Sequence, residues 1–207
     1  MSDQTFTGTY RVIGFGGNGE RILLYDIDRE DAVWVANIGH QDANYPAPLH
    51  DALSVVSPGN VAEATVRGDP ETGDIWMFED FDIMRDTTLA FVDGLSKNRI
   101  PGPVEKSWEN RDPEHQVGVN VLKNDETGEP IFELQTHPEE FQGRNIFEDM
   151  RTGRFPLEAW YEELTSTPVG AHDIIVVNPN EVEYIVILFF PPGNEETLDD
   201  VRKDLAD

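Results

Sequence analysis

Residues 7–28 read TGTYRVIGFGGNGERILLYDID, two strand-like stretches on either side of a glycine-rich tetrapeptide. The tetrapeptide Gly16-Gly17-Asn18-Gly19 contains Asn-Gly, a dipeptide that favours the positive φ angles of a tight hairpin turn. The flanking stretches are rich in aliphatic and aromatic residues and carry no helix signal. Together they predict an antiparallel β-hairpin at the start of the fold.

The same stretch also matches the G-x-G-x-x-G pattern of dinucleotide-binding proteins, through Gly14, Gly16 and Gly19. That fold requires a helix that begins at the last glycine, and an acidic residue about 20 positions later on a second strand. The residues that follow, RILLYDID at 21–28, are too few and too strand-like for such a helix. The hairpin interpretation is therefore favoured, and the sequence predicts no cofactor.

The rest of the N-terminal half contains short strand-like stretches that are separated by turns, with no long helix among them. They are DAVWVANI at 31–38, VAEATVR at 61–67, DIWMFEDFDI at 74–83 and TTLAFV at 87–92. A Pro-containing loop with a short helical or extended piece interrupts them at 44–56. Five or six short strands at this spacing predict a small barrel or a sandwich. Of the two we expect a small antiparallel β-barrel over residues 1–95, of the type to which the OB fold belongs.

Residues 96–116 are polar and rich in proline, and we interpret them as a linker with a short helix at 104–110. After the linker, strand patterns at 117–122, 130–135, 173–177 and 183–190 are interspersed with helical patterns at 145–151, 156–164 and 195–205. This order predicts an α+β domain with an antiparallel sheet over residues 117–207. The expected fold class is α+β, a small barrel followed by an α+β domain.

The composition is strongly acidic. The chain has 41 Asp and Glu against 15 Lys and Arg, a formal net charge of −26 over 207 residues. The acids are spread over both halves, and the lysines are only Lys97, Lys106, Lys123 and Lys203. Such a surface keeps a protein hydrated in concentrated salt, where the Debye length falls to ~3 Å and self-repulsion is screened. The sequence therefore indicates a halophilic protein.

Several classes of protein are disfavoured. The chain has no cysteine, which excludes disulfides and thiolate metal sites. The N-terminus lacks the basic region and apolar core of a signal peptide, and no apolar run approaches the ~20 residues of a membrane helix. We expect a cytoplasmic protein without membrane contact. Nucleic acid is disfavoured as a partner, because neutralising phosphates requires clustered Lys and Arg.

Six stretches together carry a resemblance to a known family. They are SPGNVAEAT at 57–65, FVDG at 91–94, FEDMRTG at 147–153, PLE at 156–158, DIIVVNP at 173–179 and YIVI at 184–187. In these motifs the chain resembles an uncharacterised family of halophilic archaeal proteins, known only as a domain of unknown function. The resemblance spans most of the chain. It implies adaptation to high salt and a two-part organisation, and it implies no activity and no site residue.

No constellation of residues indicates catalytic or metal chemistry. Glu79, Asp80 and Asp82 offer carboxylates to a hard cation, but strand alternation points Glu79 away from the other two, and no EF-hand-type loop accompanies them. His40 and His50 border the Pro-containing loop at a spacing that fits no zinc pattern. A G-x-S-x-G nucleophile motif is absent. We assign no metal site and leave the catalytic residues unassigned.

Arg144, Arg151 and Arg154 are the one unusual positive feature, three arginines within eleven residues of a very acidic chain. Their spacings of seven and three place them near one face if the helix is continuous. Because guanidinium groups bind carboxylates and phosphates bidentately, we predict a candidate anion or partner site here. The simpler alternative is internal salt bridges, since Glu148 lies four residues after Arg144 and three before Arg151.

The lack of a catalytic constellation favours a non-enzymatic binding or adaptor protein that acts through protein–protein contacts. A first alternative is an OB-type nucleic-acid-binding module with Trp34, Trp76, Phe78 and Phe81 as stacking platforms, which exposure of these rings would favour. A second alternative is an enzyme with a site at the domain interface, which a deep cleft holding a histidine and carboxylates would favour.

We predict that the stability of the fold depends on salt. In molar KCl, thermal unfolding followed by far-UV circular dichroism should show a cooperative transition. Dilution to ~0.1 M KCl, where the Debye length is ~10 Å, should lower the midpoint strongly, because repulsion within a chain of charge −26 is then less screened. A midpoint that does not change over this range would contradict the halophilic interpretation.

Overall fold

A computed structural model describes residues 3–100, 102–111, 117–123, 130–136, 144–155, 157, 172–191, 194, 198–199 and 201–203. The helix expected at 156–164 lies outside these residues except for Leu157, which is helical. Contacts divide the chain into two compact units. Unit 1 comprises residues 1–88 and 150–160, and unit 2 comprises residues 89–149 and 161–207. Each unit contains one five-stranded sheet.

Residues 3–88 of unit 1 form five strands and one helix. In chain order these are β1 (Gln4–Gly16), β2 (Arg21–Asp26), β3 (Asp31–Ala36), α1 (Ala47–Ser54), β4 (Val61–Gly68) and β5 (Met77–Arg85). The strand order is β3-β2-β1-β4-β5, and every neighbouring pair is antiparallel. An isolated bridge joins Val35 to Trp76. Within the described residues no closed barrel is found, so the barrel and OB expectation is not confirmed.

The turn between β1 and β2 confirms the predicted hairpin. Gly17 and Asn18 have φ angles of 59° and 56°, the left-handed values that an Asn-Gly-rich turn provides. The Gly19 N–H donates to the carbonyl of Gly16 at 3.2 Å. β2 then begins at Arg21, where a dinucleotide fold would have a helix. The G-x-G-x-x-G pattern is therefore a consequence of turn geometry.

The core of unit 1 follows from the alternation of side chains along its strands. Tyr10, Val12 and Leu24 are buried in one cluster with Leu49 and Leu53, which are one turn apart on α1. The opposite face of β2 is also covered, because a Cβ on Gly153 would lie within 4 Å of Leu23 and Ile13. This explains why β2 is apolar at successive positions and not only at alternate ones.

Unit 2 contains the second sheet. Its strands are β6 (Leu89–Leu95), β7 (Val117–Lys123), β8 (Pro130–Thr136), β9 (Asp173–Pro179) and β10 (Ile185–Phe190). A 3₁₀ helix (Lys97–Arg99) and α2 (Gly102–Asn110) follow β6, and α3 (Ile146–Arg151) lies where the chain passes from unit 2 to unit 1. Residues 198–199 and 201–203 are helical, and the remainder of the predicted C-terminal helix lies outside the described residues.

The second sheet corrects the expectation of a purely antiparallel sheet. Its order is β6-β9-β10-β8-β7, and β6 pairs with β9 in parallel while the other pairs are antiparallel. The sequence placed β6 in the N-terminal barrel because it directly follows the other strands. A parallel pair requires a long connection, and the stretch from β6 to β9 provides one. The sequence predicted two domains, at residues 1–95 and 117–207, and this division remains a prediction.

No described helix is long and apolar enough to cross a membrane.

A buried polar network holds the turn at residues 57–60 in unit 1. The Asn60 side chain is fully buried; its Nδ2 donates to Asp86 Oδ1 at 2.9 Å, and its Oδ1 accepts the Ser57 N–H at 2.8 Å. Arg11, also buried, donates to the carbonyl of Gly59 at 2.8 Å, and the Thr87 hydroxyl donates to the same carbonyl at 2.7 Å. This network gives the Ser-Pro-Gly-Asn motif a structural role.

We predict that Asn60→Ala lowers the free energy of unfolding of unit 1 by about 2–3 kcal/mol, because buried partners of Asn60 lose their hydrogen bonds. Denaturant unfolding in molar KCl measures the change. Asn44→Ala is the matched control: Asn44 is exposed in the same unit, and its change should stay within about 0.5 kcal/mol. Equal effects of the two substitutions would refute the structural role of the network.

Candidate functional site

A cavity of about 150 Å³ lies in unit 2 and is partly open to solvent. All strands of the second sheet contribute to its wall, together with residues from the 3₁₀ helix, α2 and the helical residues 201–203. Among the residues that the structure describes, the wall is apolar with one exception, an arginine. Its residues are Leu95, Arg99, Ile100, Val104, Leu122, Ile131, Val177, Pro179, Val186, Leu188, Phe190 and Val201. We call this the apolar cavity.

Strand alternation places the floor of the apolar cavity on one face of the sheet. Val186, Leu188 and Phe190 are two residues apart on β10 and therefore share a face. Val177 of β9 lies directly opposite Val186, and Leu122 of β7 lies opposite Ile131 of β8. The sequence thus builds an apolar floor from alternate residues of neighbouring strands.

The chain that follows β6 forms part of the cover. Leu95 and Val104 are buried, and Ile100 is partly buried between them in sequence. The Gln135 side chain donates from Nε2 to the carbonyl of Val104 at 2.8 Å, which ties the first turn of α2 to β8. The carbonyl of a residue in the first turn of a helix also accepts a backbone hydrogen bond from the next turn. The bond from Gln135 adds to this one, so it holds α2 to β8 without disrupting the helix.

Arg99 is the charged residue of the cavity wall. It ends the 3₁₀ helix and is partly buried. Its side chain makes no hydrogen bond or ion pair with any described residue. Nearby Lys97, by contrast, forms an ion pair with Glu105 at 3.0 Å, and this hydrogen bond raises the pKa of Lys97. The apolar cavity therefore carries a guanidinium group that is not neutralised by a described carboxylate.

A buried carboxylate lies on the same face of the sheet, next to the cavity floor. Glu133 of β8 is 0 % exposed and lies between Leu188 of β10 and Asn120 of β7. Asn120 Nδ2 donates to Glu133 Oε2 at 3.4 Å, whereas Oε1 has no hydrogen-bond partner among the described residues. Burial raises the pKa of Glu133 to about 7, because the charged form loses its hydration.

Aromatic rings pack beside this carboxylate. The rings of Trp108 and Tyr184 lie 4.9 Å apart, and the Arg111 guanidinium sits 3.4 Å from the centre of a Trp108 ring. Burial, together with the nearby carboxylates of Glu105 and Glu133, raises the pKa of Tyr184 to about 12. Tyr184 Oη, Gln135 Oε1 and Arg111 Nε also lack hydrogen-bond partners within the described chain. This end of the site is polar and incompletely hydrogen-bonded.

The apolar cavity can bury a small apolar group next to a guanidinium group. In the part of the chain that the structure describes, its wall holds no carboxylate, histidine or nucleophile, and no cluster of three His, Asp or Glu side chains is placed to hold a metal ion. Glu133 is a neighbour of the wall residues Leu188 and Ile131 and is not itself part of the wall.

The three arginines of the predicted anion site lie on both sides of the end of α3. α3 ends at Arg151, and Gly153 has a φ of 69°, so no continuous helix carries all three arginines. Arg144 pairs with Asp149 at 2.7 Å, and Arg154 donates to the Thr152 hydroxyl at 3.0 Å. Arg144 belongs to unit 2, and the other two belong to unit 1. Anion binding here stays a prediction.

The other residues considered from the sequence have local partners or lie in the core. Glu79 pairs with Arg67 at 3.1 Å, and His40 accepts the Asp42 N–H at 3.2 Å. Among the four aromatics, Trp34 is 38 % exposed, and the others are buried core residues: Trp76, Phe78 and Phe81. His115 and His137 lie outside the described residues.

Sequence reasoning missed the apolar cavity and Glu133. A signal for Glu133 was present, because PIFELQ at 130–135 places Ile131, Glu133 and Gln135 on one strand face. Glu133 stands between an apolar residue and an amide on the same face of the strand. A carboxylate is rarely buried, so this pattern indicates either a solvent-exposed face or a functional site. No comparable signal exists for the cavity, since a gap between packed side chains leaves no pattern in the sequence.

We predict that Glu133 makes the protein less stable as pH rises from about 4.5 to 7. The folded state holds the proton up to a pKa of about 7, while the unfolded chain loses it near 4.5, so folding binds a proton in this window. The penalty is complete above pH 7 and is absent below pH 4. Glu133→Gln should therefore exceed wild type in unfolding free energy by up to about 3 kcal/mol at pH 8 and by little at pH 4.5.

Denaturant unfolding at fixed molar KCl and several pH values tests this. The control is Glu183→Gln, at an exposed position of unit 2. If the difference in unfolding free energy between Glu133→Gln and wild type is the same at pH 4.5 and pH 8, burial does not hold the proton on Glu133.

Comparison with known proteins adds the family. Neither the curated proteins nor the solved structures contain a match to this chain. A match to a protein family covers residues 2–200, which is nearly the whole chain and includes both units. The chain therefore belongs to the family of unknown function DUF6663.

Proposed function

We propose that this protein is a non-enzymatic binding protein and that the apolar cavity of unit 2 is its binding site. The observation that carries the proposal is a partly open cavity of about 150 Å³ whose wall is apolar except for Arg99. Concave, mostly apolar sites with few polar groups are the usual binding sites of small molecules. A fold has no structural need for such an opening, because well-packed cores have few voids.

The volume defines the size of the group that binds. A dry cavity of ~150 Å³ with Leu, Ile and Phe in its wall is large enough for benzene. Burying ~160 Å² of apolar surface at ~25 cal/mol per Å² contributes about 4 kcal/mol, which corresponds to a Kd of about 1 mM. An unsubstituted apolar probe should therefore bind weakly but measurably.

The partner expected from the sequence was another protein, and a small molecule now has the better support. A flat apolar patch would favour a protein surface, whereas the apolar cavity is concave and fits a compact group. The nucleic-acid alternative loses support, because three of its four aromatics are core residues. An enzyme with a site at the domain interface stays a prediction from the sequence.

The charge of the chain suggests where binding takes place. A net charge of −26 and few lysines are suited to a protein that works in concentrated salt, and we propose a halophilic, cytoplasmic setting on this basis. Apolar burial is not weakened by screening, and excluded salts strengthen it. An apolar site is therefore a suitable recognition element under such conditions.

We predict that benzyl alcohol binds to the wild-type protein in molar KCl with a Kd of about 1 mM. Val201→Phe should abolish this binding, because the larger ring fills the apolar cavity from a partly buried position. Saturation-transfer NMR detects the bound probe. Val55→Phe is the matched control, since Val55 is 68 % exposed in unit 1 and the same substitution there leaves the cavity open.

A second variant, Leu122→Phe, narrows the cavity from the side of β7. It provides an independent test in case Val201→Phe does not fold. Thermal unfolding confirms that each variant is folded. If wild type and both cavity-filling variants show equal saturation transfer, the apolar cavity is not the binding site.

A further inference from the structure

We infer that the ligand of the apolar cavity is a small carboxylic acid, with its apolar body in the cavity and its carboxylate on Arg99. The inference rests on the proposed binding function and adds the chemical class of the ligand. It combines three observations: the position of Arg99, its lack of a partner among the described residues, and the charge of the rest of the chain.

The position of Arg99 is fixed by the residues around it. Leu95 and Ile100, on either side of it in sequence, also contribute to the cavity wall. The turn of the 3₁₀ helix is closed by hydrogen bonds from the Arg99 and Ile100 N–H groups to Ser96 and Lys97. The Arg99 side chain therefore stands on a backbone that is anchored at the edge of the cavity.

The lack of a partner is notable in this chain. The chain has 41 acids for 15 basic residues, and among the described cations that also lack a carboxylate, Arg21 and Arg111 lie over tryptophan rings and Lys106 is exposed. Described cations such as Arg67, Lys97 and Arg144 each have one within 3.2 Å. Arg99 is beside the apolar cavity and has none among the described residues, so a bound carboxylate would complete its charge pairing.

The chemistry of the guanidinium group selects a carboxylate. Its planar fork of donors matches the two oxygens of a carboxylate, and the low dielectric of an apolar wall strengthens the pair. The cavity accepts an apolar body about as large as benzene, which excludes long acyl chains. A compact aromatic or short branched acid fits both conditions.

Benzoate and benzyl alcohol form the matched pair of probes, because they share the apolar ring and differ in charge. By isothermal titration in molar KCl, the wild-type protein should bind benzoate at least tenfold more tightly than benzyl alcohol. Arg99→Gln should remove this preference, so that benzoate binds no more tightly than benzyl alcohol. Arg99→Lys should retain part of the preference, since an ammonium group keeps the charge and loses the bidentate geometry.

The control for net charge is Lys106→Gln, which removes one positive charge from an exposed position of unit 2 that is not in the cavity wall. It should preserve the preference for benzoate. If benzyl alcohol binds and benzoate binds no better, or if Arg99→Gln and Lys106→Gln act alike, the carboxylate inference fails while the binding function stands. If neither probe binds to wild type, both the inference and the proposed function are wrong.

Discussion

The structure of unit 2 depends on one constraint: β9 and β10 are apolar on both faces, so the sheet must be covered on both sides. Ile174–Val177 and Ile185–Val186 are almost completely buried. Such runs are typical of central strands, and β9 and β10 lie in the middle of the sheet order. On one face the cover comes from short pieces, namely the residues after β6, the start of α2 and the helical residues 201–203. Short pieces cover a broad face incompletely, and the apolar cavity is the result.

The elements that depend on local chemistry could be predicted from the sequence, and those that depend on distant contacts could not. Gly17 and Asn18 indicated the hairpin because their backbone angles are a local property. The parallel pairing of β6 with β9 was missed, since partners about 80 residues apart share no local signal. The apolar cavity was missed for the same reason. Glu133 was visible in the alternation of β8, but only the structure shows that its side chain is buried.

Charge and apolar burial have different roles in this protein. Acids outnumber basic residues by 41 to 15 over the chain, and the described cations are mostly engaged in local pairs such as Arg67 with Glu79 and Arg144 with Asp149. Arg99 combines charge with apolar burial, because it places a positive charge in the apolar wall of the cavity. Glu133 shows the opposite combination, a carboxylate that burial keeps protonated up to a pKa of about 7. Two charged residues therefore mark the candidate site: Arg99 in the cavity wall and the buried Glu133 next to it.

The central claim is that unit 2 binds a small apolar group in the cavity above its sheet. The most direct test is ¹³C methyl NMR of the Leu, Val and Ile side chains during titration with benzyl alcohol in molar KCl. The account predicts shifts confined to the cavity wall, with Leu122, Leu188 and Val201 most affected, and unchanged methyl signals for Leu49 and Leu53 in the core of unit 1. Shifts centred on the methyl groups of unit 1, or none at saturating probe, would contradict it.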